Sequence, residues 1–287
     1  MDITIRELEA NGMTFRCRTA GDSGEPVILL HGFPETSHMW TDLMPRLADN
    51  GYRTLAPDLR GYSPGARPDD VSAYSYEALA SDVFALADAS AFDRFHLVGH
   101  DWGAIIGWAA LHIDGGKRIA SWTSLSIPHY LGTAKATYDD PGGDLYRGIL
   151  IQLTTEGVFE GLVASQPDAF RSTWSHSSSE EIDEYLGVLR QPGAMRAAAS
   201  YYRACNAHKR ALEDPSAPFG DVSVPTLLIK GTQDPYVRAM SVELAKPYMK
   251  GEYRVVELSA GHWLAQEQPD RVADEVLAHL RAHPLSS

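Results

Sequence analysis

The sequence predicts an α/β protein with a mostly parallel central sheet, helices on both faces and an inserted, mainly helical cap. Compact apolar runs of strand length recur along the chain, and segments with helical apolar spacing separate them. The alternation lapses once, between about residues 128 and 219. With 287 residues, 44% of them hydrophobic, the chain can bury one large core or one core plus a lid.

The elements follow in order. Ile3 to Leu8 and Met13 to Arg18 alternate and flank Asn11-Gly12, a dipeptide that readily supplies the positive φ angles of a tight hairpin, so the chain opens with antiparallel strands. The runs PVILL (26–30), YRTLAP (52–57), FHLVG (95–99), TLLIK (226–230) and YRVVELS (253–259) read as strands buried on both faces. Trp40 to Ala48, Tyr76 to Ala89, Trp102 to His112 and Arg271 to Arg281 carry helical spacing. Between Pro128 and Phe219, Tyr, Trp, Gln and Ser mix into the apolar positions, and Ser177 to Ser179 reads as a loop before a helix starting at Glu180 and Glu181. This divides the chain into a core at 1–127, a cap at 128–219 and the rest of the core at 220–287. A sheet that resumes at Val224 implies that the insertion leaves and rejoins it at neighbouring points. The cap would then cover the edge where loops leave the strands, where open α/β sheets bind ligands.

Composition narrows the partners. A formal net charge of −13 with no clustered basic stretch argues against nucleic acid and against an anionic membrane. Cys17 and Cys205 are too few for a disulfide framework and lack metal-ligand spacing, so free thiols in a reducing compartment are expected. MDITIRELEANG lacks the apolar centre of a signal peptide, and no apolar run reaches membrane-spanning length. These features predict a cytoplasmic protein.

The chemistry-bearing residues sit at strand ends. Gly99-His100-Asp101-Trp102-Gly103 follows one strand and opens a helix, the context of a nucleophile elbow, with aspartate at its centre. Glycines suit a turn so sharp that a Cβ would collide with adjoining backbone. His31-Gly32-Phe33-Pro34 follows the strand PVILL, so Phe33 and Trp102 are the expected backbone N–H donors of an oxyanion hole. Asp234 lies just past TLLIK and His262 just past RVVELS, which completes the chain order nucleophile, acid, histidine. His31, Pro34 and Trp263 are expected in the substrate pocket.

At this point HGFPETSHMW, DLRGYSPGARP, VGHDWGA, GTQDPYV and SAGHW resemble the successive motifs of the α/β-hydrolase fold enzymes, and within them of the epoxide hydrolases, over nearly the whole chain. The resemblance implies that Asp101 is the nucleophile, His262 the water-activating base and Asp234 its orienting acid. Haloalkane and fluoroacetate dehalogenases share much of this motif series and are the rival enzymes. A ligand-binding homologue without turnover is the rival of a different class, and the intact Asp101, Asp234 and His262 set argues against it.

Independent chemistry agrees. A carboxylate is already ionised at neutral pH and needs no base to attack. Attack on an ester carbonyl would give an unstable anhydride, whereas attack on a saturated carbon gives an ordinary ester. His262 is then free to deprotonate the water that hydrolyses it, with Phe33 and Trp102 N–H groups on the oxyanion. The substrate implied is a small apolar epoxide or an alkyl halide. An opening epoxide also needs an acid for its developing alkoxide. Ala199-Ser200-Tyr201-Tyr202-Arg203 resembles the epoxide hydrolase cap motif whose tyrosine before arginine points at the substrate oxygen, which selects Tyr202. The second tyrosine is assigned to Tyr146, in Asp144-Leu145-Tyr146, ahead of Tyr138. Phe33 stands where haloalkane dehalogenases often have an asparagine, and Trp102 where fluoroacetate dehalogenases usually have arginine.

Other residues read as framework. His38, His96, His100 and His129 are expected to hold hydrogen bonds and not a metal. His279 and His283 are expected at the negative end of the last helix. Asp58 and Arg60 are expected to fix a loop. No Gly-rich phosphate cradle occurs, so no nucleotide cofactor is expected.

Overall fold

Asn11 and Gly12 adopt φ angles of 50° and 71° and close the hairpin between β1 (Thr4–Ala10) and β2 (Met13–Ala20). This computed structural model describes residues 1–139, 144–165, 171–174, 176–206 and 208–285. The apolar runs become β3 (Glu25–Leu30), β4 (Tyr52–Pro57), β5 (Phe95–His100), β7 (Thr226–Gly231) and β8 (Tyr253–Leu258), joined by β6 (Ile119–Leu125). They form one eight-stranded sheet in the order β1-β2-β4-β3-β5-β6-β7-β8. β2 runs antiparallel to both β1 and β4, and the pairings from β4 to β8 are parallel.

Helices cover the sheet: α1 (Leu43–Asp49), α2 (Tyr76–Ala89), α3 (Trp102–Asp114) and, near the C-terminus, α12 (Pro269–Ala282). Apolar strands on both sides explain why β3 and β5 are buried from end to end after the first residue of β3. Between β6 and β7 the described segments are helical: α4 (Tyr130–Asp139), α5 (Asp144–Thr154), α6 (Val158–Ser165), α7 (Ser179–Leu189), α8 (Ala194–Ala204) and α9 (Lys209–Glu213). The α7 helix starts where its acidic first turn indicates, with the Ser178 hydroxyl accepting from the Glu181 N–H. The short α10 (Ser241–Ala245) and α11 (Leu264–Glu267) follow β7 and β8.

Three expectations change, the first being β8, read as buried on both faces but lying at the edge of the sheet and mostly half-buried. The β6 strand escaped the sequence reading because Ser121, Thr123 and Ser124 interrupt its apolar run, yet all three are fully buried. Ser121 shares a 2.8 Å hydrogen bond with the His96 ring and the Ser124 hydroxyl donates to the Ile127 carbonyl, which offsets the cost of burying these two, whereas the Thr123 hydroxyl is buried without a partner. Moreover, β6 and β7 are parallel neighbours, so the insertion leaves at one end of the sheet and must return along its length before β7 begins. The chain therefore leaves and rejoins the sheet at opposite ends, although the limits of the insertion meet where the His129 ring donates to the Gly220 carbonyl at 2.9 Å.

Ionic contacts tie the inserted helices to the core. Glu184 on α7 accepts from Arg16 at 2.8 Å and from Arg18 at 2.6 Å, and Arg16 also reaches buried Asp58 at 2.9 Å. Arg210 on α9 pairs with Glu77 on α2, and the Tyr201 hydroxyl on α8 donates to the Arg60 carbonyl. Asp58 and Arg60 do fix loops, Asp58 through Ser37 and Arg60 through Asp82. At the end of α12, His283 donates to the His279 carbonyl, whereas burial pushes His279 itself down to about 4, so it carries no charge there. Cys17 and Cys205 are buried free thiols. Among the described residues no helix is long and apolar enough to cross a membrane.

Candidate active site

The turn from β5 into α3 puts Asp101 at φ 50°, ψ −116°, a conformation that costs a non-glycine residue on the order of 1–3 kcal/mol. The surrounding glycines make it possible. A Cβ on Gly99 would lie 2.5 Å from the Gly103 carbonyl oxygen, and one on Gly103 would lie 2.2 Å from the Leu30 oxygen. Gly32 is as constrained, since its Cβ would meet Asp101 Cβ at 2.5 Å. That close approach brings the Phe33 N–H to Asp101 Oδ1 at 2.8 Å. Trp102 is the first residue of α3, where backbone N–H groups have no intrahelical acceptor.

His262 Nε2 lies 3.4 Å from Asp101 Oδ2, and His262 Nδ1 donates to Asp234 Oδ2 at 2.7 Å. Asp234 is held in turn, because its Oδ1 accepts from the Tyr236 and Val237 N–H groups at 2.8 and 3.2 Å. His100 anchors the base from below, donating from Nε2 to the His262 carbonyl at 2.9 Å and pairing through Nδ1 with buried Glu35. Burial disfavours a charged imidazole, but Asp234 and Asp101 together outweigh it and raise His262 to about 10. Burial would likewise raise Asp101, yet the hydrogen bond and charge of His262 hold its carboxyl below the ordinary carboxylate value. The resting arrangement is an imidazolium between two carboxylates.

A cavity of about 260 Å³ opens over Asp101, between the core and the inserted helices. Its wall includes Phe33, Pro34, Asp101, Trp102, His262 and Trp263 from the core, with Tyr146 from α5 and Tyr202 from α8. Tyr202 packs edge-on against Phe33 and Trp102, with ring centroids 5.5 and 5.0 Å away. Burial, and after it the Asp101 charge, raises both phenols above their ordinary value. Both hydroxyls therefore stay protonated and can donate.

His31 is the exception among the expected pocket residues, because it does not line the cavity. Its Nε2 accepts from the Leu59 N–H at 3.0 Å and its Nδ1 donates to the Gly32 carbonyl, so the ring braces the loop under the pocket. Burial pushes it down to about 4, and it stays neutral. Tyr138 is likewise absent from the wall. Sequence reasoning missed His208 and Tyr236, which do line the cavity. Tyr236 packs edge-on against His262 at 5.1 Å. It lies two residues after Asp234, so a motif at the same strand end could have pointed to it, whereas nothing local marks His208.

Residues 25–269 match the model of the α/β hydrolase fold family. Epoxide hydrolase A of Mycobacterium tuberculosis is 33% identical, with 96% of this chain and 97% of that protein aligned. A fluoroacetate dehalogenase of a Burkholderia species is 28% identical over 96% of this chain and 94% of its own length. Among solved structures, epoxide hydrolase A of Mycobacterium thermoresistibile superposes with a TM-score of 0.84 at 27% identity, covering 99% of this chain and 100% of that one. Strand order, elbow and chain-long similarity agree, and the chain belongs to the α/β-hydrolase fold enzymes, in the epoxide hydrolase family.

Proposed function

We propose that this hydrolase opens a small, apolar epoxide to a vicinal diol through a covalent ester on Asp101. The observation that carries the reading is one cavity shared by an ionised carboxylate, a histidine paired with a second carboxylate, and phenols from two inserted helices. Residues 128–219 act as the cap that supplies those phenols. The two buried free thiols support a reducing, cytoplasmic setting.

In this mechanism Oδ1 of Asp101 stays on the Phe33 N–H and Oδ2 attacks a ring carbon. The ring C–O bond breaks, and its electron pair takes a proton from Tyr146 or Tyr202, leaving a phenolate. Ester formation also cancels one of the two charges that held the His262 proton. His262 then gives that proton up, which restores the phenol and frees the imidazole as a base. It deprotonates a water that attacks the Asp101 carbonyl carbon, and the oxyanion forms on Oδ1 toward the Phe33 and Trp102 N–H groups. Collapse releases the diol and returns an ionised Asp101 beside a protonated His262.

Replacing His262 by glutamine should leave ring opening possible and block hydrolysis. With styrene oxide, peptide mass spectrometry should find the substrate adduct on Asp101. The wild type should be assayed in parallel on terminal alkyl epoxides, 1-haloalkanes and fluoroacetate. Halide release without diol formation would turn the assignment to a dehalogenase, and sustained turnover by the glutamine variant would remove His262 from the mechanism.

A further inference from the structure

Tyr146 is not isolated in the cavity wall. Its hydroxyl lies 2.9 Å from His208 Nε2, and its ring stacks on the imidazole at an interplanar angle of 17°. His208 Nδ1 is hydrogen-bonded to the Tyr130 hydroxyl, which lies 3.0 Å from the Tyr76 hydroxyl. A single file of hydrogen bonds thus runs from the core helix α2 to the pocket through Tyr76, Tyr130, His208 and Tyr146. The ring of His208 is buried, sits 5.6 Å from the Trp102 indole and 5.9 Å from Tyr202, and is held at a left-handed φ of 73° just after α8. Burial, opposed by the Asp101 charge, lowers it to about 4, so it is neutral at working pH.

A neutral imidazole has one donor and one acceptor nitrogen, so this file can point only two ways. With the proton on Nδ1, His208 donates to Tyr130 and its Nε2 takes the Tyr146 proton. The Tyr146 oxygen then shows the pocket only lone pairs. With the proton on Nε2, Tyr130 donates to Nδ1, Tyr76 donates to Tyr130, and His208 donates to the Tyr146 oxygen. The Tyr146 proton is then free to point into the pocket. An ether oxygen accepts hydrogen bonds and cannot donate them, so it takes a bond from Tyr146 only in the second direction. Among the described residues no acceptor takes the Tyr202 proton, so Tyr202 needs no such device.

We propose that His208 is a positioning residue which, as the Nε2–H tautomer, turns the Tyr146 proton toward the substrate oxygen and then donates to the phenolate left by ring opening. In that step the bond from Asp101 Oδ2 to carbon forms, the ring C–O bond breaks, and the Tyr146 proton moves to the freed oxygen. The negative charge passes from Asp101 to Tyr146, where a charge-assisted hydrogen bond from Nε2 meets it. The kinetic consequence rests on the epoxide reading, whereas the tautomer does not.

The test separates the two. In full-length enzyme labelled with ¹⁵N-histidine and saturated with the unreactive ether 2-phenyltetrahydrofuran, His208 should show a protonated Nε2 and an unprotonated Nδ1. An unprotonated Nε2, or a doubly protonated ring at neutral pH, overturns the proposal without any substitution being made. In stopped-flow single turnovers with styrene oxide, His208→Phe should slow ester formation by about 10²-fold, the scale of losing one donor to a developing oxyanion. Ester hydrolysis should change little, and His208→Gln, whose amide N–H can reach the Tyr146 oxygen, should recover most of the lost rate. In a Tyr146→Phe background, His208→Phe should add nothing. An equal loss in both backgrounds would reduce His208 to packing and overturn the proposal. A wild type with the Nε2–H tautomer but no diol product would sustain the proposal for His208 and overturn the epoxide reading.

Discussion

Asp101 and His262 hold each other's charge, and this makes the site a pH-dependent contributor to stability. The His262 value is raised from about 6.5 in the unfolded chain to about 10. A raised histidine stabilises the fold fully below about 6.5, and the contribution is lost as pH rises through about 10. Asp101 and Asp234 are depressed, so their share is present above the ordinary aspartate value and is lost as pH falls through their lower folded values. In Asp101→Asn one of the two anions beside His262 disappears, and its pKa should fall. Melting temperatures measured from pH 6.5 to 10 should therefore decline less steeply in Asp101→Asn than in the wild type. Parallel curves would mean that the resting imidazolium is not held by Asp101. Asparagine tolerates positive φ better than most residues, so the elbow should survive the change.

At the scale of elements, what the sequence revealed depended on whether burial was advertised by apolar side chains. The runs PVILL, FHLVG and TLLIK did so and were legible as strands. Ile119–Leu125 did not, because hydroxyl groups interrupt its apolar run, and the partners of Ser121 and Ser124, His96 and the Ile127 carbonyl, are supplied only by the folded chain. Its place is nonetheless tightly specified. The Trp122 indole, fully buried, presses on α3 where Gly107 has no side chain, and a Cβ there would lie 2.1 Å from Cη2. Gly107→Ala should destabilise the protein by about 1–3 kcal/mol, since a packed core has no room to yield. Urea denaturation would measure this, and an unchanged midpoint would show that the helix and strand can separate freely. The folded fraction should keep its turnover, as neither residue lines the cavity.

For the molecule as a whole, legibility followed distance along the chain. Asp101, Asp234 and His262 each close a strand and carry their own local motif, so the sheet brings them together without further instruction. Tyr202 and Tyr146 stood out only through resemblance, since helical segments announce their buried face but not what that face meets. His208 reaches Tyr146 across 62 positions of sequence by a turn after α8, and no spacing rule encodes such a meeting. His31 failed in the opposite direction: its motif is local, but its ring turns down into the loop, away from the cavity. Contacts such as those of Glu184 with Arg16 and Arg18 then seat the inserted helices on the core.

The unequal surroundings of the two Asp101 oxygens leave an isotopic trace. If Oδ2 bonds to carbon while Oδ1 stays on the Phe33 N–H, hydrolysis at the carboxyl carbon sends a protein oxygen out with the product and leaves a solvent oxygen behind. A single turnover in ¹⁸O-water should thus give an unlabelled diol and a chain heavier by one isotopic substitution, confined to the peptide containing Asp101. Later cycles should hand that label on, so the product made in heavy water lags one turnover behind its solvent. Label in the first diol would mean that water had attacked the substrate carbon directly, with Asp101 acting as a base.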